Sequence, residues 1–346
     1  MNKWLIAACV AAVAPLTQAS PLTAGNIVVA TGFSDQSTTK FGEYTPAGAL
    51  VQSYSISVPA GTQKVVSGVT VGPNSQPFVY AGNFNPQLWT VNPSTNVQST
   101  RTVAGWSNVG SVATGGMTPY LHYVFATSEN AASSTGGIFR FDLDNGTAVQ
   151  MFDPNPIASH GNTSYDKVTI GYDGKLYALF NNGGYSSPYL VTADPITGSG
   201  FAVTTLFESV NAVAVDADGN IYALRGSTNT GQGIDEFSPS HTLLRSINFP
   251  DSTLTGFPNG IELSPTGNIL VHSSYGTILQ TTTAFGSFSA FNIAGTLGVG
   301  KSVMYTQAAF VQTPIPEPAT LTYAAVACVM LARHRRRVRR RHRTKF

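Results

Sequence analysis

The sequence predicts an all-β body folded as a β-propeller, a ring of small four-stranded blades, six in number, with seven as the alternative count. Three observations carry this reading. The first is a gapless repeat: Asp166-Lys-Val-Thr-Ile-Gly-Tyr-Asp-Gly-Lys-Leu-Tyr-Ala-Leu aligns with Asn211-Ala-Val-Ala-Val-Asp-Ala-Asp-Gly-Asn-Ile-Tyr-Ala-Leu and with Asn259-Gly-Ile-Glu-Leu-Ser-Pro-Thr-Gly-Asn-Ile-Leu-Val-His. The second is its spacing. The equivalent positions Val69, Val112, Val168, Val213 and Ile261 lie 43, 56, 45 and 48 residues apart, which is the length of four short strands with their turns. The third is alternation. Val213 and Val215, or Ile261 and Leu263, put apolar side chains on one face of a strand, and Asp-Gly or Thr-Gly then supplies the tight turn. No stretch of twelve residues shows a capped apolar period of 3.6.

Taken in chain order, residues 1–19 read as an export signal. Lys3 provides the positive start, Trp4 to Leu16 the apolar segment, and Thr17-Gln18-Ala19 the small residues of a cleavage site before Ser20. The body spans residues 20–312. It opens with Asn26-Ile-Val-Val-Ala-Thr-Gly, which reads as the second strand of a blade whose first strand is missing. Lys40-Phe-Gly-Glu-Tyr-Thr-Pro and Leu50-Val-Gln-Ser-Tyr-Ser-Ile read as its third and fourth. A further repeat starts at Ser67-Gly-Val-Thr-Val. A weaker one surrounds Gly110-Ser-Val-Ala-Thr, with a longer turn before Tyr123-Val-Phe-Ala-Thr. The copies at 166, 211 and 259 follow. At the end, Lys301-Ser-Val-Met-Tyr-Thr-Gln begins a unit that stops after one strand, with Val303 placed 42 residues after Ile261. That strand would complete the opening blade and remove an open sheet edge.

Residues 313–346 have a different character. Pro316-Glu317-Pro318 precedes an apolar run of 14 residues, 319–332, and then Arg333-His-Arg-Arg-Arg-Val-Arg-Arg-Arg-His-Arg343. As a helix the run reaches about 21 Å, short of a hydrocarbon core of about 30 Å. The arginines would stay on the cytoplasmic side of a membrane and leave the body outside.

Removing both ends inverts the charge. The full chain carries 19 Lys+Arg against 17 Asp+Glu, a net of +2. Eight arginines and Lys345 belong to the tail and Lys3 to the leader, leaving 9 basic residues. Only Glu317 leaves the acidic side, so 16 remain and the body is near −7. An acidic exported body argues against nucleic acid as a partner and fits divalent cations or neutral glycans. Cys9 and Cys328 also lie in the end segments, so the body has neither a disulfide nor a thiol nucleophile.

Two resemblances follow from these residues. The Pro-Glu-Pro motif, apolar run and basic end resemble the PEP-CTERM sorting signal of bacterial envelope proteins. That resemblance implies export and signal-peptidase processing, and recognition near Pro316, Glu317 and Pro318 by an exosortase-type membrane enzyme in an exopolysaccharide-producing bacterium. Membrane contact would be transient, through the tail. The repeats, through Asp-Gly-Asn-Ile-Tyr and Pro-Asn-Gly-Ile-Glu-Leu-Ser-Pro-Thr-Gly, resemble the NHL and gluconolactonase-like six-bladed propellers, a superfamily that includes streptogramin lyase-like proteins. Two functions are then expected as alternatives. One is a non-catalytic binding or structural module with glycan or matrix protein as partner. The other is a cation-dependent hydrolase or lyase.

For the second, the strand starts offer Ser67, Asn108, Asp166, Asn211 and Asn259, short oxygen-bearing side chains at equivalent places. A hard cation such as Ca²⁺ takes six to eight oxygens. The gluconolactonase-like resemblance implies Asp166, Asn211 and Asn259 as its ligands together with an opening-blade glutamate; Glu43 is the one available and does not stand at the expected place. The alternative is that these residues satisfy backbone groups at strand starts. Asp142-Leu-Asp144-Asn145-Gly reads as a hairpin turn rather than a calcium loop, because no later acidic ligand follows. His122, His160, His241 and His272 are scattered, although Glu262 and His272 share one hairpin. No Gly-x-Ser-x-Gly elbow, phosphate loop or dinucleotide fingerprint is present. Phe84, Trp89, Trp106, Tyr185 and Tyr189 beside loops could stack on sugars, with inter-blade packing as the other reading for Trp89 and Tyr189.

Overall fold

A computed structural model describes residues 21–33, 38–57, 66–71, 77–81, 87–102, 117–120, 123–128, 137–143, 146–152, 164–181, 189–205, 210–226, 231–250, 253–293 and 303–311. The leader, the tail with Pro316, Glu317 and Pro318, and Phe84, Trp106, Asn108, His122, His160 and Tyr185 lie outside them. So do the side chains of Ser67 and Asp166, whose backbones are described. Among the described residues, no helix is long and apolar enough to cross a membrane.

The described residues form 24 strands. The opening group is β1 (Ile27–Phe33), β2 (Thr38–Tyr44) and β3 (Leu50–Ser57), followed by β4 (Val66–Val71), β5 (Pro77–Ala81), β6 (Gln87–Asn92) and β7 (Val97–Thr102). Next come β8 (Met117–Tyr120), β9 (Tyr123–Ser128), β10 (Gly137–Asp142) and β11 (Ala148–Phe152), then β12 (Ser164–Ile170), β13 (Leu176–Asn181), β14 (Tyr189–Ala193) and β15 (Ala202–Thr205). The last are β16 (Val210–Val215), β17 (Ile221–Arg225), β18 (Gly233–Phe237), β19 (Leu243–Asn248), β20 (Pro258–Leu263), β21 (Asn268–Ser273), β22 (Thr277–Thr282), β23 (Ser289–Asn292) and β24 (Val303–Phe310). They build six four-stranded antiparallel sheets. Five are consecutive meanders. The sixth runs β24-β1-β2-β3, so the last strand supplies the first strand that the opening group lacks. The inner strands β24, β4, β8, β12, β16 and β20 touch in sequence and return to β24, which closes the ring of a β-propeller.

The turns follow the residues that make them. Asp216 Oδ1 accepts from the backbone N–H of Asp218 and Asn220 at 3.0 and 2.8 Å, and Gly219 takes φ +82°. A side chain with a carboxylate to fold back and a glycine free to go left-handed close the two-strand unit. At Asp142 the backbone closes a turn with Gly146 and Thr147, at 2.9 and 2.8 Å, joining β10 to β11 as a hairpin.

Alternation along the strands places one apolar cluster in each seam between neighbouring sheets. Val28, Phe41 and Val69 with Trp89 fill the first, Leu88 with Val124 and Phe139 the second, and Phe125 with Val168 and Phe180 the third. Leu179 with Val213 and Ile221, Tyr222 with Ile261 and Leu279, and Ile27 with Leu270 and Phe310 fill the rest. Trp89 is therefore inter-blade packing, and Tyr189 packs as a tilted ring, centroids 6.3 Å apart, against Phe180 across its own sheet. Burying one such side chain is worth about 1.5–3 kcal/mol as an upper estimate. Strands β15, β19 and β23 are largely exposed and form the rim.

Two registers differ from the sequence reading. The inner strand of the third sheet is Met117–Tyr120, C-terminal to the expected residues 110–114, which lie outside the described residues. Its Met-Thr-Pro-Tyr carries no alternating apolar pattern, which hid it. In the closing strand, Gln307 and Ala308 line the ring axis as Gly260 and Ile261 do, so the residue in the place of Ile261 is Ala308 rather than Val303. A bulge shifts the β24 pairing opposite Thr31, and a gapless count steps over it.

Candidate functional site

Four of the inner strands begin with an irregularity. The pairing of β4, β12, β16 and β20 with its neighbour skips one residue, and the skipped residues are Ser67, Asp166, Asn211 and Asn259. Extra residues of this kind turn a side chain out of the ladder. The aligned positions expected to hold a cation are thus bulge residues, and the structure shows what two of them do. Asn211 Nδ2 donates to the Pro258 carbonyl at 2.6 Å, and Asn259 Nδ2 donates to the Thr306 carbonyl at 3.1 Å. Both bonds reach 47 residues ahead, from one inner strand to the next. Each amide clasps neighbouring blades together. The third candidate, Asp166, has its backbone in β12 and its side chain outside the described residues. Glu43, the opening-blade glutamate, is buried at the other end of its sheet. Its carboxylate accepts from Thr23 N–H and Asn26 Nδ2 at 2.8 and 2.6 Å, and from Gln52 Nε2 at 2.5 Å. It holds the N-terminal strap and does not join Asn211 or Asn259.

Further along the axis the inner strands line a small cavity of about 30 Å³, room for one or two waters. Lys167, Glu262, His272 and Gln307 line it. His272 belongs to the second strand, β21, and reaches inward only because its partner in the ladder is Gly260. A Cβ built on Gly260 would lie 2.0 Å from His272 Nε2. The imidazole thus occupies the place of a side chain that the inner strand omits. Its Nδ1 lies 2.8 Å from Asn259 Oδ1 and 3.0 Å from the Thr306 carbonyl. Both neighbours are acceptors, so a proton is assigned to Nδ1.

The electrostatics agree. Burial pushes His272 down to about 3, the Lys167 charge adds to this, and the bond to Thr306 opposes it. Burial pushes the Glu262 carboxyl up to about 8, against the pull of Lys167. Near neutral pH the cavity therefore presents a protonated acid, a neutral and weakly basic imidazole, and an ammonium. Such groups form hydrogen bonds with a water; in this state neither the acid nor the imidazole is a strong base.

At one end of the axis three inner strands are tied together. Tyr172, in the turn after β12, donates its backbone N–H to the Val215 carbonyl at 3.1 Å and its hydroxyl to the Leu263 carbonyl at 2.9 Å. These carbonyls end β16 and β20, so one tyrosine ties three successive blades where their first strands finish.

Sequence reasoning paired Glu262 with His272 on a hairpin but missed Lys167. The signal was available in the repeat. Just before Val69, Val213 and Ile261 stand Gly68, Ala212 and Gly260; before Val168 stands Lys167. His241 lies apart, in the β18–β19 turn at φ +62°.

No protein-family model matches the chain, and no curated protein matches it. Among solved structures the chain is similar to one in the nidogen/laminin complex, with 12% identity, a TM-score of 0.57, and coverage of 83% of this chain and all of that one. That likeness shows the β-propeller fold. Two others are the calcium-binding protein regucalcin from Agrobacterium tumefaciens C58 and the PQQ-bound aldose sugar dehydrogenase from Streptomyces coelicolor. The first has 13% identity, a TM-score of 0.49 and coverage of 68% of this chain and 76% of that one; the second has 16%, 0.48, 71% and 85%. Likenesses at that level say nothing about chemistry.

Proposed function

We propose that this chain is an exported six-bladed β-propeller of the bacterial envelope or extracellular matrix, acting as a non-catalytic binding or structural module. The observation that carries the reading is the axial cavity. At about 30 Å³ it holds water rather than a substrate, whereas small-molecule sites run to about 300–1,000 Å³. Tyr172 ties the ends of three inner strands, and the Asn259 amide is engaged on both its atoms, by Thr306 and His272.

The destination rests on the tail. Its Pro316-Glu317-Pro318, apolar run and arginines fit a sorting signal processed by an exosortase-type enzyme, after export by way of the residue 1–19 leader. The ring supports this geometry. Val311 N–H donates to the Asn26 carbonyl at 2.8 Å and Gly25 N–H to the Val311 carbonyl at 3.0 Å. The ring is thus closed before the motif begins, and cutting there leaves the 24 described strands in place. Replacing Pro316, Glu317 and Pro318 by alanine should leave the apolar tail attached in the producing cell. Normal processing of that variant would refute the sorting role.

A cation-dependent hydrolase or lyase is the second reading, favoured by the shared bulge position of Asp166, Asn211 and Asn259. Those three residues would hold Ca²⁺. The binding-module reading expects no Ca²⁺ heat below about 1 mM, the weak end of calcium sites. A titration showing tight binding, lost in Asn211→Ala, would instead favour the enzyme.

A further inference from the structure

The seam that closes the ring holds a second cavity, of about 470 Å³, within the size range of small-molecule sites. It opens on the face where the first strands end. Its walls come from the β20–β21 turn, the β22–β23 turn, the β2–β3 turn and the strap at Ala24 and Gly25, with Phe310 and Val311 at its base. These segments are distant in sequence and meet because β24 pairs with β1.

Its chemistry is uniform. Ser264, Thr266, Asn268, Gln280, Thr282 and Ser289 supply hydroxyls and amides, while Pro46, Pro265 and Phe310 supply apolar patches. None of the described residues lining it is ionisable. The polar groups are held in place by the protein. Gln280 Nε2 donates to the Pro46 carbonyl at 2.6 Å across the seam, and Asn268 Nδ2 donates to Thr266 Oγ1 at 3.0 Å. Both amide oxygens and one N–H of each amide remain to meet a ligand.

From these walls we infer a binding site for a neutral saccharide. A charged ligand would lose water here without meeting an opposite charge. An acidic polymer would also be repelled by a body near −7. A purely apolar ligand would strip water from six polar side chains and return no hydrogen bond. A sugar matches both surfaces, because its hydroxyls donate and accept while its C–H faces pack on proline and phenylalanine. This inference names a site and ligand class for the binding-module reading and rests on it.

The test titrates the full-length protein with cello-, malto- and chito-tetraose, and with tetragalacturonate as the anionic counterpart, using calorimetry. At least one neutral tetrasaccharide should bind, and the uronate should bind at least about tenfold more weakly, a difference of about 1.4 kcal/mol. Asn268→Ala and Ser289→Arg, both on exposed positions, should each weaken neutral binding about tenfold or more. Thermal melting of each variant confirms that the fold is kept. Absence of binding to every neutral sugar at about 10 mM, preference for the uronate, or unchanged binding in both folded variants overturns the site. Processing of the Pro316-Glu317-Pro318 variant is read separately. An exported chain that binds no sugar sinks the groove alone, and a sugar-binding chain that is never exported sinks the destination alone.

Discussion

Glu262 and His272 give the axial cavity a stability profile that can be worked out in sign. Folded Glu262 keeps a proton that the unfolded chain releases above its ordinary 4.5. Its contribution is therefore whole below pH 4.5 and lost as pH rises towards 8. Folded His272 refuses a proton that the unfolded chain takes below its ordinary 6.5, so its contribution is lost as pH falls from 6.5 towards 3. Between 4.5 and 6.5 the two slopes cancel. The pair predicts a plateau there, with an alkaline decline of up to about 2 kcal/mol between pH 6.5 and 8. Urea denaturation across this range should show Glu262→Gln flattening that decline relative to the unaltered chain. A variant that falls as steeply as the parent would remove Glu262 from the account. Little of this was legible in the sequence. Glu262 and His272 are visible on one hairpin, but the inward reach of His272 depends on Gly260 having no side chain. Lys167 shows only as a break in a column of small residues.

At the scale of elements, β24 decides whether the ring exists. It covers β1 from Ile27 to Phe33 and brings Ala308 and Phe310 into the seam cluster with Leu270 and Ile278. A chain ended before Val303 should expose the β1 edge and lose those contacts. Its melting should be non-cooperative or its product aggregated, while a chain ended after residue 312 should melt as the full chain does. Equal melting of the two would show that closure contributes nothing. The strand groups were readable because alternation and Asp-Gly turns are local signals. The bulges were not. Asp166, Asn211 and Asn259 align so well because each sits at the same break in the ladder, and an alignment of oxygen-bearing side chains looks the same whether they face a cation or the next blade's carbonyls. For Asn211 and Asn259 the carbonyls of Pro258 and Thr306 are the partners seen.

For the whole molecule, charge and topology separate the body from its ends. The full chain has a net of +2 and the body about −7, so removal of the arginine tail converts a basic protein into an acidic one. In the Pro316-Glu317-Pro318 experiment, the processed and retained forms should therefore part on an anion exchanger, with only the processed form held. Sequence made this bookkeeping possible, along with the blade length. It could not show the groove, because residues 24, 46, 268, 280 and 310 become neighbours only when the last strand returns to the first.

That return also sets how the protein carries load. Phe310 lies opposite Ile27 near the end of an antiparallel pair, and Val311 makes the last bonds, to Asn26 and Gly25. Tension arriving through the tail would meet the β24 ladder end-on. It would be borne by one hydrogen-bonded pair at a time, as in peeling tape, and not by the whole strand in shear. The first pairing to part would be that of β24 with β1, within the sheet that closes the ring. Gly25 and Phe310, which that pairing holds together, both line the groove, so a ligand bridging them would brace the joint on which a pull through the tail acts first.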